Sequence, residues 1–318
     1  MNSQFTANID IPVDQLPRGA KKSFSIRELE KLSGVKAHTL RIWEQRYQMF
    51  APGRSNGNVR SYSLHDVQRL LNVALLLKKG CKISILSNLS ASELRQKLQT
   101  VLSEEDRQCK AINHLIFYMY ADIEKFEDVL DGCVQCWGID ATLEKVILPF
   151  MEKVGLLSYI DKNYETHFVV TAIRRKIIFG IEKAVTATAN NKTALLFLPE
   201  GEHYDLFLLY LSYTLKKAGI RVLYLGTDIS ISNLQHIMEA KPVDFLFTYI
   251  PHKQKFKLQG FASYLYQKFP LLSLNGITCE DVTDKEEASN VNLIHYKQSK
   301  SFIASQLKYE GQRLPMFE

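Results

Sequence analysis

The loop that follows Pro199 carries side chains that could bind a ligand. In FLPEGEHYDLFLLYL, residues 197–211, an apolar run ends at Pro199, Glu202 and His203 follow, and an amphipathic helix begins. Carboxylate and imidazole groups bind metals and polar ligands, and sheet domains place their binding loops after strand ends. Phe207, however, stands where the close approach of a ligand would favour glycine. The loop is therefore a candidate site with a bulky side chain at its exit.

Two cysteines in GCVQCWG, Cys133 and Cys136, have the CxxC spacing of redox and zinc sites. They lie late in a helical segment, without a second CxxC or a histidine cluster. The chain has 5 cysteines in 318 residues, too few for a disulfide framework. We therefore expect structural burial of the pair and no metal. Paired carboxylates, a phosphate-binding glycine loop and a nucleophile constellation are also lacking, so we expect no catalytic residue and no enzyme.

The basic residues are concentrated in one segment. Residues 21–80 carry 12 Lys and Arg against 4 Asp and Glu, a net charge of +8, whereas the whole chain has +6. A small basic module joined to a near-neutral body is typical of nucleic-acid binding. The chain lacks an N-terminal signal sequence and an apolar run long enough to span a bilayer, so we expect a cytoplasmic protein without membrane contact.

The basic segment has the pattern of a helix-turn-helix. Ser25 and Glu28 form a capping-box pair, a turn follows at Gly34, and a second helix is predicted over 37–47. Such a helix fits the major groove of DNA. Its polar candidates for contacts with bases or phosphates are Lys36, His38, Thr39, Arg41 and Arg46.

A hairpin and further helices complete this module. Asn56-Gly57 is a strong hairpin signal and predicts a wing, followed by a helix that Ser63 and Asp66 cap. Two short helices close the module near residue 98. We expect the wing to contact phosphates of the flanking groove through Arg54, Asn58, Arg60 and Tyr62, although Tyr62 is equally suited to the core.

The rest of the chain divides by hydrophobic pattern. Apolar residues recur at helical spacing over 103–188, which favours an antiparallel bundle. From residue 192, the runs TALLFLP, RVLYLGT, VDFLFTYI, LLSLNG and VNLIHY alternate with helical segments, which predicts a doubly wound, flavodoxin-like parallel sheet. We therefore predict a multidomain chain: a flexible arm over 1–20, a winged helix-turn-helix over 21–98, a helical bundle over 103–188 and an α/β domain over 191–311.

The stretches FSIRELEKLSGVKAHTLRIWEQRY, RSYSLHDVQRL and LLLKKGCKISIL have the order and spacing of the MerR family of transcription regulators, and the first segment resembles that family. The layout as a whole resembles the CarH and LitR subgroup of light-responsive repressors, which join a winged module to a helix bundle and a cobalamin-binding domain. The resemblance implies that Arg41 contacts the DNA backbone and that the C-terminal domains build the oligomer.

The resemblance also assigns cofactor positions. The subgroup's loop reads acidic-x-His-x-x-Gly with the histidine on cobalt, and the ungapped register places Glu202, Tyr204 and Phe207 there. His203 is one residue out of register. The remaining positions implied for the cofactor are Thr248 after the third strand, Asn275 and Gly276 at the glycine turn, Ser158 or Tyr159 and Thr166 over the upper face, and His167.

The departures at this motif predict that cobalamin is not held in the subgroup's way. We expect the loop to be a packed connection with Phe207 buried against the first strand or the bundle. A different small ligand could still use Glu202 and His203.

The sequence thus predicts a sequence-specific DNA-binding regulator that recognises a double-stranded operator as a homo-oligomer, a dimer or a tetramer. RNA polymerase is a candidate partner. The alternatives are a true cobalamin-dependent light-sensing repressor, a cobalamin-dependent methyltransferase-like enzyme, and a sensor whose sheet domain docks a partner protein.

Overall fold

The computed structural model describes residues 23–54, 58–157, 164–185, 191–250, 267–269, 272, 274–279 and 291–309. The predicted arm over 1–20, the Asn56-Gly57 turn and the pair Ser158 and Tyr159 lie outside these residues. The chain forms two compact units, unit 1 with Met1–Leu156 and Ile160–Ala172 and unit 2 with Leu157–Tyr159 and Ile173–Glu318. Within the described ranges, no helix has the length and apolar character needed to cross a membrane.

Unit 1 is helical apart from a small hairpin. Its elements are α1 (Ile26–Ser33), α2 (Ala37–Tyr47), β1 (Gly53–Arg54), β2 (Arg60–Ser61), α3 (Leu64–Lys78), α4 (Ile83–Leu86), α5 (Ala91–Val101), α6 (Glu104–Ala121), α7 (Ile123–Thr142), a π-helical turn (Leu143–Ile147) and α8 (Leu148–Val154). A further helix, α9 (Tyr164–Lys183), begins in unit 1 and ends in unit 2. The boundary between units therefore falls inside the predicted bundle.

Local sequence signals fix the ends of the first helices. Ser25 caps α1 and Ser63 caps α3, each paired with an acidic residue three positions later in a complete capping box. The turn between α1 and α2 passes through Gly34 at φ 75°, a left-handed conformation that glycine adopts without steric cost. The winged module then packs on α6, where the Asn113 side chain donates a hydrogen bond to the Leu71 carbonyl at 3.2 Å.

The bundle helices of unit 1 enclose an aromatic and aliphatic core. Phe126 and Phe150 lie 5.6 Å apart between ring centroids, and both are fully buried. Gly138, at φ 77°, kinks α7. Cys133 is buried as predicted, whereas Cys136 is exposed. Across the described part of the chain, no cluster of three potential metal ligands occurs.

Unit 2 is built on a five-stranded parallel sheet in the order β4-β3-β5-β6-β7. Its elements are β3 (Thr193–Pro199), α10 (Leu206–Lys217), β4 (Arg221–Ile229), α11 (Ile231–Ala240), β5 (Phe245–Tyr249), β6 (Leu274–Thr278), β7 (Val291–His295), a 3-10 turn (Tyr296–Gln298) and α12 (Ser299–Tyr309). In sequence numbering of the strands this order is 2-1-3-4-5, which confirms the predicted flavodoxin-like sheet.

Two helices show how the sheet of unit 2 is covered. On α11, Leu234 and Met238 pack against Leu195 and Leu246 of the strands. Helix α10 differs from the amphipathic helix that we predicted, because its residues from Leu206 to Tyr213 are all buried. A helix that is apolar nearly all round has no solvated face. The chain therefore enters the interior at Leu206, after the exposed and half-exposed loop over 200–205.

Candidate functional site

The N-terminus of α2 is held by the preceding helix. One carboxylate oxygen of Glu30 accepts a hydrogen bond from the Ala37 amide N–H at 3.2 Å. The other carboxylate oxygen of Glu30 lies 3.2 Å from the Lys36 ammonium group. These contacts lower the pKa of Glu30, with the Lys36 hydrogen bond as the largest cause and the Ala37 amide next. Glu30 thereby orients α2 and satisfies a backbone donor that Lys36 at the N-cap does not.

Most of the predicted DNA contacts lie on the surface. Leu40 and Trp43 pack α2 onto the core, so the opposite face of the helix is presented to solvent. The predicted residues that are exposed are Lys36, His38, Arg41, Arg46, Arg54 and Asn58, and Thr39 is half-buried. Unit 1 thus places basic and polar groups on the helix and on the wing.

The wing is fastened to α2 through Glu44. The Arg60 guanidinium donates to one oxygen of this carboxylate at 2.9 Å, and the Tyr62 hydroxyl donates to the other at 3.0 Å. Tyr62 is 1% exposed, and burial followed by the Glu44 hydrogen bond raises its pKa to about 12. Of the two alternatives for Tyr62, the structure therefore gives the core position, and its buried ring does not reach a phosphate.

The two wing arginines have different surroundings although they face each other across the hairpin. Arg54 pairs with Arg60 in the strand register. Arg54 is exposed and donates to the Asn58 side chain, whereas half-buried Arg60 is tied to Glu44. Arg54 and Asn58 are therefore the groups at the wing that remain accessible to a phosphate, and Arg60 braces the wing.

Two exposed residues of α2, Ile42 and Gln45, were not among the predicted contacts. Ile42 keeps 50% of its surface exposed. The signal that finds them is the 3.6-residue period, because Leu40 and Trp43 fix the inner face and so define the outer one. Choosing candidates by polarity alone overlooked the aliphatic residue.

In unit 2, the loop after β3 ends in a half-buried polar junction. Asp205 accepts from the Arg174 guanidinium at 2.7 Å through one oxygen and from the Tyr224 hydroxyl at 2.8 Å through the other. Asp205 thereby links α9 and β4 to the start of α10. Burial, then the charge of Asp205, raises the pKa of Tyr224 well above its usual value. This carboxylate is already bound by protein groups.

Aromatic side chains fill the space behind the loop. Phe207 is fully buried, stacks on Tyr249 with centroids 5.0 Å apart, and meets Tyr296 edge-on at 5.8 Å. The burial that we predicted for Phe207 is confirmed, but its ring partners come from the end of β5 and the turn after β7. The Tyr249 hydroxyl in turn donates to the Leu157 carbonyl.

The residues that the resemblance assigns to a cofactor differ in exposure and do not form one group. His203 is exposed and Glu202 is half-exposed. Burial raises the pKa of Tyr204 far above its usual value, and within the described residues its hydroxyl has no hydrogen-bond partner. The buried Thr248 hydroxyl likewise has none there. His167 and Thr166 lie in the part of α9 that belongs to unit 1, the former exposed and the latter buried.

The expected glycine turn is wrong, because Asn275 and Gly276 lie inside strand β6 and pair with both neighbouring strands. Asn275 is buried, and its amide donates to the Leu246 carbonyl at 3.1 Å. At Gly276, an added Cβ would lie 2.8 Å from the Ile250 side chain and 3.1 Å from that of Leu293. Packing within the sheet therefore accounts for the glycine without a ligand.

These residues do not fit cobalamin bound in the subgroup's manner. Phe207 stands where the resemblance places a glycine beside the cofactor, and its fully buried ring fills that position in an interior packed at crystal-like density. Tyr204 stands at the ligand position, and a neutral phenol is a poor replacement for imidazole.

A basic winged helix-turn-helix unit followed by a Rossmann-like unit defines a DNA-binding regulator with a separate C-terminal domain. Residues 24–92 match the MerR HTH family regulatory protein model. The chain is 28% identical over 213 residues to the HTH-type transcriptional repressor CarA of Myxococcus xanthus, covering 66% of this chain and 70% of CarA. It is 24% identical over 237 residues to the repressor CarH of the same organism, covering 71% and 78%.

The chain also has a structural counterpart among solved structures. The fold is similar to that of the monomethylamine corrinoid protein of Methanosarcina barkeri, with a TM-score of 0.51 at 11% identity, covering 62% of this chain and 96% of that one. Residues 24–92 thus form a MerR-type DNA-binding module, and the chain is a DNA-binding transcription regulator similar to the repressors CarA and CarH, with a fold similar to that of a corrinoid protein.

Proposed function

We propose that the protein binds a specific double-stranded operator as a homo-oligomer and represses transcription. The observation that carries the proposal is the exposed basic and polar face formed by α2 and the wing, with Arg41, Arg46 and Arg54 accessible on it. Repression follows the naming of the two relatives as transcriptional repressors. A regulator of this kind acts in the bacterial cytoplasm.

In this proposal, α2 enters the major groove. His38 and Thr39 lie in its first turn, where side chains of recognition helices reach base edges. Arg41, Arg46 and Lys36 have the charge to contact phosphates on either side, and Arg54 with Asn58 contacts the backbone of the flanking groove. Arg60 supports this arrangement through Glu44.

A single winged module reads only a few base pairs, so selection of one site in a genome requires repeated half-sites. We propose that residues 103–318 supply the oligomer, as a dimer or a tetramer. Light scattering of the full chain at micromolar concentration tests this point. A monomer that binds its operator with full affinity and specificity would contradict it.

The DNA-binding proposal is tested by selecting duplexes from a random pool with the full chain and measuring their affinity. We expect one enriched sequence with repeated half-sites and at least a thousandfold preference over random DNA, the order typical of specific regulators. Arg41→Ala should weaken binding to both, whereas Arg95→Ala on α5 serves as a charge-matched control. Equal affinity for all duplexes would refute operator recognition.

We further propose that unit 2 does not bind cobalamin through a histidine and serves oligomerisation or a different effector. The buried stack of Phe207 on Tyr249 is the observation that supports this. Equilibrium dialysis of the full chain with adenosylcobalamin and hydroxocobalamin should give no micromolar binding. Binding with the spectral change of histidine ligation would establish the light-sensing alternative, and its loss in His203→Ala would identify the ligand.

The same preparation tests the remaining alternatives. A reporter gene behind the selected operator distinguishes repression, which operator occupancy alone can cause, from activation through contact with RNA polymerase. A methyltransferase-like enzyme would bind a corrinoid, which the dialysis measures. A sensor that docks a partner protein would retain that partner in a pull-down with and without operator DNA.

A further inference from the structure

The outer face of α2 carries one aliphatic side chain among polar ones. Its exposed residues are His38, Arg41, Ile42, Gln45 and Arg46. Successive residues of a helix are turned by about 100°, so His38 and Gln45 lie near the middle of this face. Arg41 lies toward one side, and Ile42 and Arg46 toward the other.

Ile42 leaves much more of its surface in water than the residues that pack the helix. Leu40 and Trp43 are 0% and 8% exposed and attach α2 to the core, whereas Ile42 is 50% exposed. An aliphatic side chain gains free energy only when apolar surface is taken away from water. The half of the Ile42 surface that stays in water can therefore contribute only where α2 binds an apolar group.

The chemistry of DNA limits what that group can be. Phosphates and sugars attract basic and polar side chains, which Arg41 and Arg46 already supply on this face. In the major groove, the apolar group on the base edges is the C5-methyl of thymine. An isoleucine located between the middle of the presented face and a flanking arginine is placed to meet it.

We infer that Ile42 reads a thymine methyl group in the major groove and so makes a thymine part of each half-site. The inference rests on the proposed function, because it specifies what the DNA-binding face recognises. Gln45, three residues away on the same face, has the side chain that pairs with adenine through its N6 and N7 positions. Readout by Gln45 would be independent of the methyl group.

The test replaces each thymine of the selected operator, one at a time, with deoxyuridine, which lacks only the methyl. For the full wild-type chain, one position per half-site should lose about fourfold in affinity, the value of one buried methyl group. Ile42→Ala should bind thymine and uracil equally at that position. Ile42→Val, which keeps a branched side chain, should retain most of the preference.

Two controls separate folding from recognition. Ile85→Ala removes another exposed isoleucine of unit 1, on α4, and should keep the full thymine preference. Gln45→Ala should lose affinity but still distinguish thymine from uracil. If Ile42→Ala kept the wild-type preference, or if the wild type were insensitive to every replacement, the inference would be wrong while operator binding stood. If the wild type enriched no operator, the proposed function itself would fail.

Discussion

The outer face of α2 and the carboxyl end of the sheet both carry charged side chains, but their surroundings differ. On α2, Arg41 and Arg46 are exposed, and the core is made by other residues of the same helix. Beside the sheet, Asp205 is engaged by Arg174 and Tyr224. The polar groups of the first surface are exposed to solvent, whereas those of the second form hydrogen bonds and an ion pair within the protein.

A binding surface and a packed junction built from similar residue types should respond differently to substitution. Groups on a binding surface can be changed with little loss of folding free energy, because water solvates them already. Groups in a packed junction support one another, so each change there should destabilise the fold.

The largest effect should follow Phe207→Ala. Removing a fully buried ring that stacks on Tyr249 should lower the free energy of unfolding by about 3–5 kcal/mol. Urea unfolding of the full chain measures the loss. Phe179→Ala is the matched control in the same unit, because that ring is 47% exposed and contacts only the Lys183 ammonium group among the ring interactions described.

The control should cost less than about 1 kcal/mol. Equal losses for the two phenylalanines would mean that the space around Phe207 is not packed. The proposed closure of the sheet edge would then be wrong.

The next effect concerns the polar junction. Asp205→Ala should cost about 2–3 kcal/mol, because it leaves the Arg174 guanidinium and the Tyr224 hydroxyl without their shared acceptor. Tyr224→Phe removes one hydrogen bond and should cost about 1 kcal/mol. Unfolding midpoints of both variants, measured in the same denaturant, give the comparison. If Asp205→Ala left the free energy of unfolding unchanged, the carboxylate would not be needed for folding and would be available to a ligand.

These long-range contacts mark what the sequence could predict and what it could not. The capping boxes at Ser25 and Ser63 involve residues three positions apart, so local rules predict them. The apolar runs likewise predicted a parallel sheet, since strands buried on both faces are continuous in hydrophobicity.

Partners distant in sequence were beyond such rules. Glu44 binds Arg60 and Tyr62 across 16 and 18 residues, and nothing local distinguishes a bracing arginine from a phosphate-binding one. Arg174 lies 31 residues before Asp205. The DNA face could therefore be listed by residue type, but the assignment of each arginine required the tertiary structure.

The third prediction compares a buried histidine of unit 1 with an exposed one. Burial is the main cause that lowers the pKa of His114 on α6 to about 3, with the charge of Lys110 second. Between that value and the unfolded value near 6.5, the unfolded chain binds the extra proton, so stability falls as the pH falls. From pH 6.5 to 5, the loss should reach about 1.6 kcal/mol.

His114→Gln removes this titration and should flatten the pH dependence of the unfolding free energy over that interval. His38→Gln, at an exposed position of α2, is the matched control and should leave the dependence as in the wild type. If both variants behaved alike, the acid sensitivity would not come from the packed interior of unit 1.

The smallest effect should distinguish the two arginines of the wing. Arg54 is exposed and bound only by Asn58 among its described contacts, so Arg54→Ala should not change folding. Losing one phosphate contact should reduce the slope of log affinity against log salt by about 0.9. At 0.1 M salt this corresponds to a roughly eightfold lower affinity. Arg60→Ala should instead lower stability, because the half-buried carboxylate of Glu44 loses its cation.

Arg60→Lys provides the decisive control for this pair. It keeps the charge but loses the planar donor that fits Glu44, so it should restore only part of the stability and leave the salt slope near that of the wild type. Fluorescence anisotropy with the selected operator, at salt concentrations of roughly 0.05–0.3 M, would measure the affinity and its salt dependence. A salt slope reduced equally by Arg54→Ala and Arg60→Ala, with stability unchanged in both, would place both arginines on phosphates and remove the bracing role of Glu44.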